Sequence, residues 1–194
     1  RHHCRVTDDN LDPGWRPAIR ALPMMVFPFV GMSRAAKSPD SLMVMRALWM
    51  LFVGAIAVMG VMAVMVSSAD GVEGAMGQGL ALLLAGGCSV FAQLLAGRLV
   101  ADPDLSGETA FVPSFQRWFF VRVAAAEIAA LVSFAMFIAS AAALVYIVGG
   151  AVSLAAMWDA RPGRTRLGRL QASADDEGTG LEVVRSLKCR GLTR

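Results

Sequence analysis

Apolar residues in this chain fall into long uninterrupted runs, not into alternating positions or a single 3.6-period face. Such runs read as helices surrounded by hydrocarbon, because a helix burying one face in a soluble core carries polar residues on the other. The longest run covers residues 118–158. Roughly forty residues are about twice the ~20 needed to cross a hydrocarbon core, so this run predicts two spans folded back on each other. Two shorter runs precede it. Together they predict an all-α integral membrane protein, a four-helix bundle of two helical hairpins, with spans over residues 42–66, 80–97, 118–138 and 141–158.

The segments between the runs set the remaining organisation. Residues 1–41 carry prolines and scattered charges around an apolar patch broken by Pro23 and Pro28, and predict a flexible amino-terminal arm. The stretch MSRAAKSPDS from Met32 reads as a natural start, with the residues before it as upstream sequence. The 67–79 connection has two acids, Asp70 and Glu73, no lysine or arginine, and the glycines of an exposed loop. In the 98–117 connection, Pro113 and Ser114 mark the expected helix start. The turn between the last two spans is expected near Ser140. Residues 159–194 open on the basic DARPGRTRLGR and continue as mixed-charge sequence expected to be disordered.

Composition reinforces the membrane reading. With 56% hydrophobic and 17% charged residues over 194 positions, the chain is too apolar for an ordinary soluble fold. Its formal charge of +3 gathers between spans: Arg34, Lys37 and Arg46 around the first, Arg98 and Arg117 in the middle connection, and Arg161, Arg164, Arg166 and Arg169 after the last. The positive-inside rule then places both termini in the cytoplasm of a bacterial inner-membrane protein. The last four arginines also suit anionic lipid headgroups, at ~1 kcal/mol per cation. No basic patch is interleaved with exposed aromatics, so nucleic acid is not an expected partner. The lipid bilayer is.

Cys4, Cys88 and Cys189 have neither metal nor disulfide-framework spacing, and His2 and His3 precede every span. No haem, metal site or other cofactor is expected. No serine–histidine–aspartate set and no glycine-rich phosphate loop is present, which argues against an enzyme.

Polar groups within the spans are few and therefore informative. Glu127 lies roughly 13 Å along the helix from Trp118, near the midplane if Trp118 marks an interface, and is the proton-binding candidate. Ser89 and Ser153, at a similar depth, are its expected hydroxyl partners. Gln93 and Arg122 are expected to meet nearer the interface. Ala125, Ala129 and Ser133 recur at four-residue spacing, and Gly86, Gly87, Gly149 and Gly150 add further small positions, so these faces are expected to pack helices closely.

The run AAAEIAALVSFAMFIA, residues 124–139, resembles the carboxylate-bearing helix of proteolipid subunit c of rotary ATP synthases. That resemblance implies an ion-binding role for Glu127. No GxGxG inner helix precedes the run, however, and its carboxylate lies on the third of four spans. The chain as a whole resembles small four-span bacterial membrane proteins. Two functions follow from the sequence: a non-enzymatic subunit or scaffold of a membrane complex, homo-oligomeric or larger, and, as the alternative, proton-linked transport or proton binding through Glu127.

Overall fold

The computed structural model describes residues 12–26, 40–68 and 74–188. His2, His3, Cys4, Pro28, Met32, Arg34, Lys37, Asp70, Glu73 and Cys189 lie outside the described residues. Every regular element among the described residues is a helix: α1 (Arg16–Val26), α2 (Ser41–Ser67), α3 (Gln78–Leu99), α4 (Glu108–Ser140), α5 (Ala143–Ala160), α6 (Arg164–Asp176) and α7 (Val183–Lys188). Helices α2 to α5 are each long and apolar enough to cross a membrane, one for each apolar run.

The chain divides into two compact units. Residues 1–51, 102–119 and 161–194 form one, and residues 52–101 and 120–160 form the other.

The first unit is built around the start of α2. Leu42, Met45 and Arg46 recur at helical spacing and are all buried, with Ala47 beside them. A buried guanidinium requires partners, and Arg46 finds them in Asp12, Gly14 and Pro162. Trp15 meets Trp49 at 5.2 Å with the rings tilted by 57°, and Ala18 is buried. The described part of the arm, expected to be flexible, is thus a turn and a helix held by a buried ion pair and an aromatic contact. The tail is corrected in the same way. Leu167, Ala174, Leu181, Val183 and Leu187 are buried, and Ser41 Oγ donates to the Leu187 carbonyl at 2.7 Å. Gln171 ties α6 to α7, its Nε2 donating to Leu181 O at 2.9 Å and its Oε1 accepting from Val183 N at 2.9 Å. The mixed charges of residues 171–188 line the outside of a packed helical pair.

Helix α4 begins at Glu108, earlier than Pro113 predicts. Gly107 O accepts from Phe111 N at 2.8 Å, and Ser114 Oγ accepts from Asp104 N at 3.0 Å. Ser106 N donates to the exposed Asp104 carboxylate, and this bond holds that carboxyl below the usual range. Phe111, Phe115, Trp118 and Phe119 are buried, and their packing carries the proline inside the helix. Trp118, expected at a lipid interface, is 1% exposed and stacks on Phe115 at 5.9 Å.

In the second unit α5 receives contacts from all three of its neighbours. Val145 packs with Ala81 and Ala85 of α3. The Tyr146 hydroxyl donates to Ile56 O of α2 at 2.6 Å, and Ser153 Oγ donates to Ala126 O of α4 at 2.6 Å. Helix α3 also meets α4 directly, Ala92 and Ala96 packing on Ala125. The turn between α4 and α5 falls at Ala141, in the left-handed region at φ 54°. Ala142 N donates to Ser140 Oγ at 3.4 Å, so a serine closes this turn where glycine is usual. Before α3, Met76 N donates to Ala139 O at 3.0 Å, and a Cβ on Gly74 would overlap the Ser140 main chain.

Candidate functional site

Close approach of α4 and α5 comes from small residues in register. A Cβ added at Gly149 would overlap Ser133 Oγ and Cβ, so the glycine is what admits the serine. Ser133 Oγ donates to Ala129 O at 2.8 Å, bonding back within its own helix. One turn along α5, Ser153 reaches across to the α4 backbone at Ala126. Ala126, Ala129 and Ala130 are fully buried on this face, and Ala125 is buried against α3.

Glu127 lies on the flank of that packed face, between buried Ala126 and exposed Ile128. The residue is half-buried. Its Oε2 is inaccessible and has no hydrogen-bond partner. On α5 the Tyr146 phenol hydrogen is committed to Ile56 O. The Tyr146 ring in turn rests where α2 has Gly60 and α5 has Gly150, each placing an added Cβ 3.3 Å from Cε1. Phe134, two turns along α4 from Glu127, meets the same ring edge-on at 5.6 Å.

The expected hydroxyl partners of Glu127 are engaged elsewhere. Ser89 Oγ donates to Ala85 O at 2.6 Å and Ser153 Oγ to Ala126 O. In an apolar span a main-chain carbonyl four residues back is always within reach of a serine, which is why the hydroxyls satisfy themselves locally or across one close contact. Gln93 Nε2 is buried without a partner, and Arg122 is half-buried. Of the glycines, Gly149 and Gly150 are buried and in contact, whereas Gly86 and Gly87 are exposed with nothing within 4 Å of an added Cβ.

The four arginines after α5 have different surroundings. Arg166 lies over the Trp118 ring at 3.7 Å and is turned toward the protein. Arg169 is exposed on α6. Arg164 is tethered to Asp12, its Nη2 donating to the Asp12 main-chain oxygen at 3.1 Å. Burial works against the Asp12 charge, but the hydrogen bonds from Arg46 and Gly14, with the charges of Arg46 and Arg164, outweigh it and hold the carboxyl below its usual range.

Asp12, Trp15 and Tyr146 are organising residues that a reading of the spans passes over. Their signals are local: DPGW is a turn sequence, and a lone tyrosine in an apolar span must find an acceptor. No protein-family model, curated protein or solved structure matches the chain.

Proposed function

We propose that this chain is a non-enzymatic subunit of a bacterial inner-membrane complex, with both termini cytoplasmic, and that it meets a second copy of itself through α3. The observation that carries this reading is the contrast between its glycines. Gly149 and Gly150 are occupied inside the chain, while Gly86 and Gly87 stand open beside exposed Leu83, Val90 and Phe91. In hydrocarbon there is no hydrophobic drive between helices, so association relies on close backbone approach at such positions. An adjoining apolar groove of about 500 Å³ between α3 and α4, lined by Gly87, Cys88, Phe91, Ala124 and Ile128, gives a neighbouring side chain room to seat. The arginines around the spans support the orientation.

Cys88 tests the reading because it is an exposed thiol next to Gly87. With Cys4 and Cys189 replaced by serine, oxidation in native membranes should give a Cys88-linked dimer, and Gly87→Leu should abolish it. Monomer alone, under oxidation and in blue-native gels, would refute self-association.

A second reading, proton-linked transport through Glu127, is favoured by the buried and unpartnered Oε2. The resemblance of residues 124–139 to subunit c supports it. An apolar carbodiimide should then label Glu127 in native membranes, less as pH rises, and Glu127→Gln should remove both labelling and proton coupling. If Glu127→Gln changes neither assembly nor proton movement, the carboxylate serves packing only.

A further inference from the structure

The first unit contains a cavity of about 580 Å³ where two distant parts of the chain meet, residues 13–16 at the start of α1 and residues 161–165 at the start of α6. Arg16, Arg161 and Arg164 line it together with Trp15, and no acidic residue does. Asp12, next to Pro13 of the wall, is 11% exposed and pairs both carboxylate oxygens with Arg46, at 2.6 and 2.7 Å. The side chains lining the cavity thus include three arginines and no acid.

Its geometry is held in advance of any ligand. Arg164 Nη2 bonds the Asp12 carbonyl at 3.1 Å, and Arg164 Nε stands 3.5 Å from Asp12 Oδ2, yet the side chain remains 72% exposed. A guanidinium fixed on one edge keeps its other edge for a second acceptor, and less rotamer freedom is lost when that acceptor arrives. Gly14 shapes the turn next to Arg164 through its backbone. It holds φ +73°, a conformation that other residues adopt at a cost, and a Cβ there would stand 3.5 Å from Arg164 Nη2. Trp15 is fixed by Trp49 at 5.2 Å. Helix α6 opens on Gly163, which supplies no side-chain cap and leaves the cavity side of this turn to Arg164 and Thr165.

We infer that this cavity binds a phosphate-bearing anion. Guanidinium groups lining one cavity suit the multidentate acceptor geometry of a phosphate, and they do so better than ammonium groups. The volume exceeds that of the phosphate group, leaving space for part of an attached alcohol or headgroup. The same chemistry is offered by an anionic phospholipid and by a soluble phosphate. It does not depend on how α3 associates or on what Glu127 does.

The test uses the full chain in neutral detergent, with two probes. One is inorganic phosphate against chloride at equal ionic strength, read as a shift in unfolding temperature. The other is phosphatidylglycerol against phosphatidylcholine, read as lipid retained in native mass spectrometry. Arg16→Gln is the primary variant, because Arg16 is exposed and its removal leaves the Asp12 network intact; Arg169→Gln, an equal charge change outside the cavity, is the control. The expected result is about fivefold weaker binding for Arg16→Gln, and similarly for Arg161→Gln, with Arg169→Gln unchanged. Loss in the lipid arm identifies a headgroup, and loss in the phosphate arm identifies a soluble ligand. The inference is overturned if neither probe binds, or if Arg169→Gln weakens binding as much as Arg16→Gln.

Discussion

Arg46 and Asp12 form a buried, two-pronged ion pair across 34 positions of sequence, with Nη1 to Oδ1 at 2.6 Å and Nη2 to Oδ2 at 2.7 Å. Arg46 is 1% exposed and uses its remaining donors on Gly14 O and Pro162 O. One guanidinium thus joins the amino-terminal turn, the start of α2 and the segment after α5.

Removing one partner from such a pair leaves an uncompensated buried charge. Asp12→Asn should lower stability by about 3–5 kcal/mol. The charge-free double variant Asp12→Leu/Arg46→Met should recover part of that loss, although Gly14 and Pro162 lose a donor. Reversible unfolding in mixed micelles measures both. A double variant less stable than Asp12→Asn would show that attraction, not desolvation, dominates.

The same pair gives stability a definite pH dependence. Because Asp12 titrates lower when folded, its contribution is fully present above the ordinary carboxylate value of about 3.9 and is lost as pH falls through the folded value. The stability difference between wild type and Asp12→Asn should be constant above about pH 5 and shrink below about pH 4. A difference that stays flat down to pH 2.5 would mean that the carboxylate is not stabilised by folding.

Gly149 and Ser133 set the distance between α4 and α5. Gly149→Ala should cost about 1–3 kcal/mol through overpacking. Ser133→Gly in the same chain should restore part of it, because the clash is with the serine Cβ and Oγ. The effect is read in the same micelle titration, and a neutral Gly149→Ala would show that the helices separate freely here.

Gln171 fastens α7 to α6 through Leu181 O and Val183 N. Gln171→Ala should release the turn around Gly178 and Gly180, both at positive φ, while leaving the spans intact. A net loss of about 1–1.5 kcal/mol should raise proteolytic cleavage in this turn roughly tenfold. Unchanged cleavage would place the hold on the tail in its apolar residues alone.

Some of this organisation was open to a reading of the chain. Gly149 meets Ser133, a member of the four-residue series that the sequence singles out, whereas Ala125 of the same series packs on α3 and Ser153 bonds Ala126 beside it. The order in the tail was less visible. Leu167, Ala174, Leu181, Val183 and Leu187 are separated by charges and glycines, so their burial appears only once α6 folds against α7. Pro113 misled for a similar reason: a proline marks a helix start locally, but burial of Phe111 and Phe115 on either side holds the helix through it.

The amino-acid sequence alone determined how many helices are long and apolar enough to cross a membrane, and their approximate limits, because hydropathy is summed along the chain and needs no partner. Which polar groups meet was decided only by the tertiary structure. Asp12 could have paired with any of many arginines, Ser89 and Ser153 with Glu127 or with carbonyls, and Gly87 or Gly149 with the same neighbouring helix. Those choices depend on matched height and rotation between helices far apart in sequence, and periodicity along one helix carries no information about either.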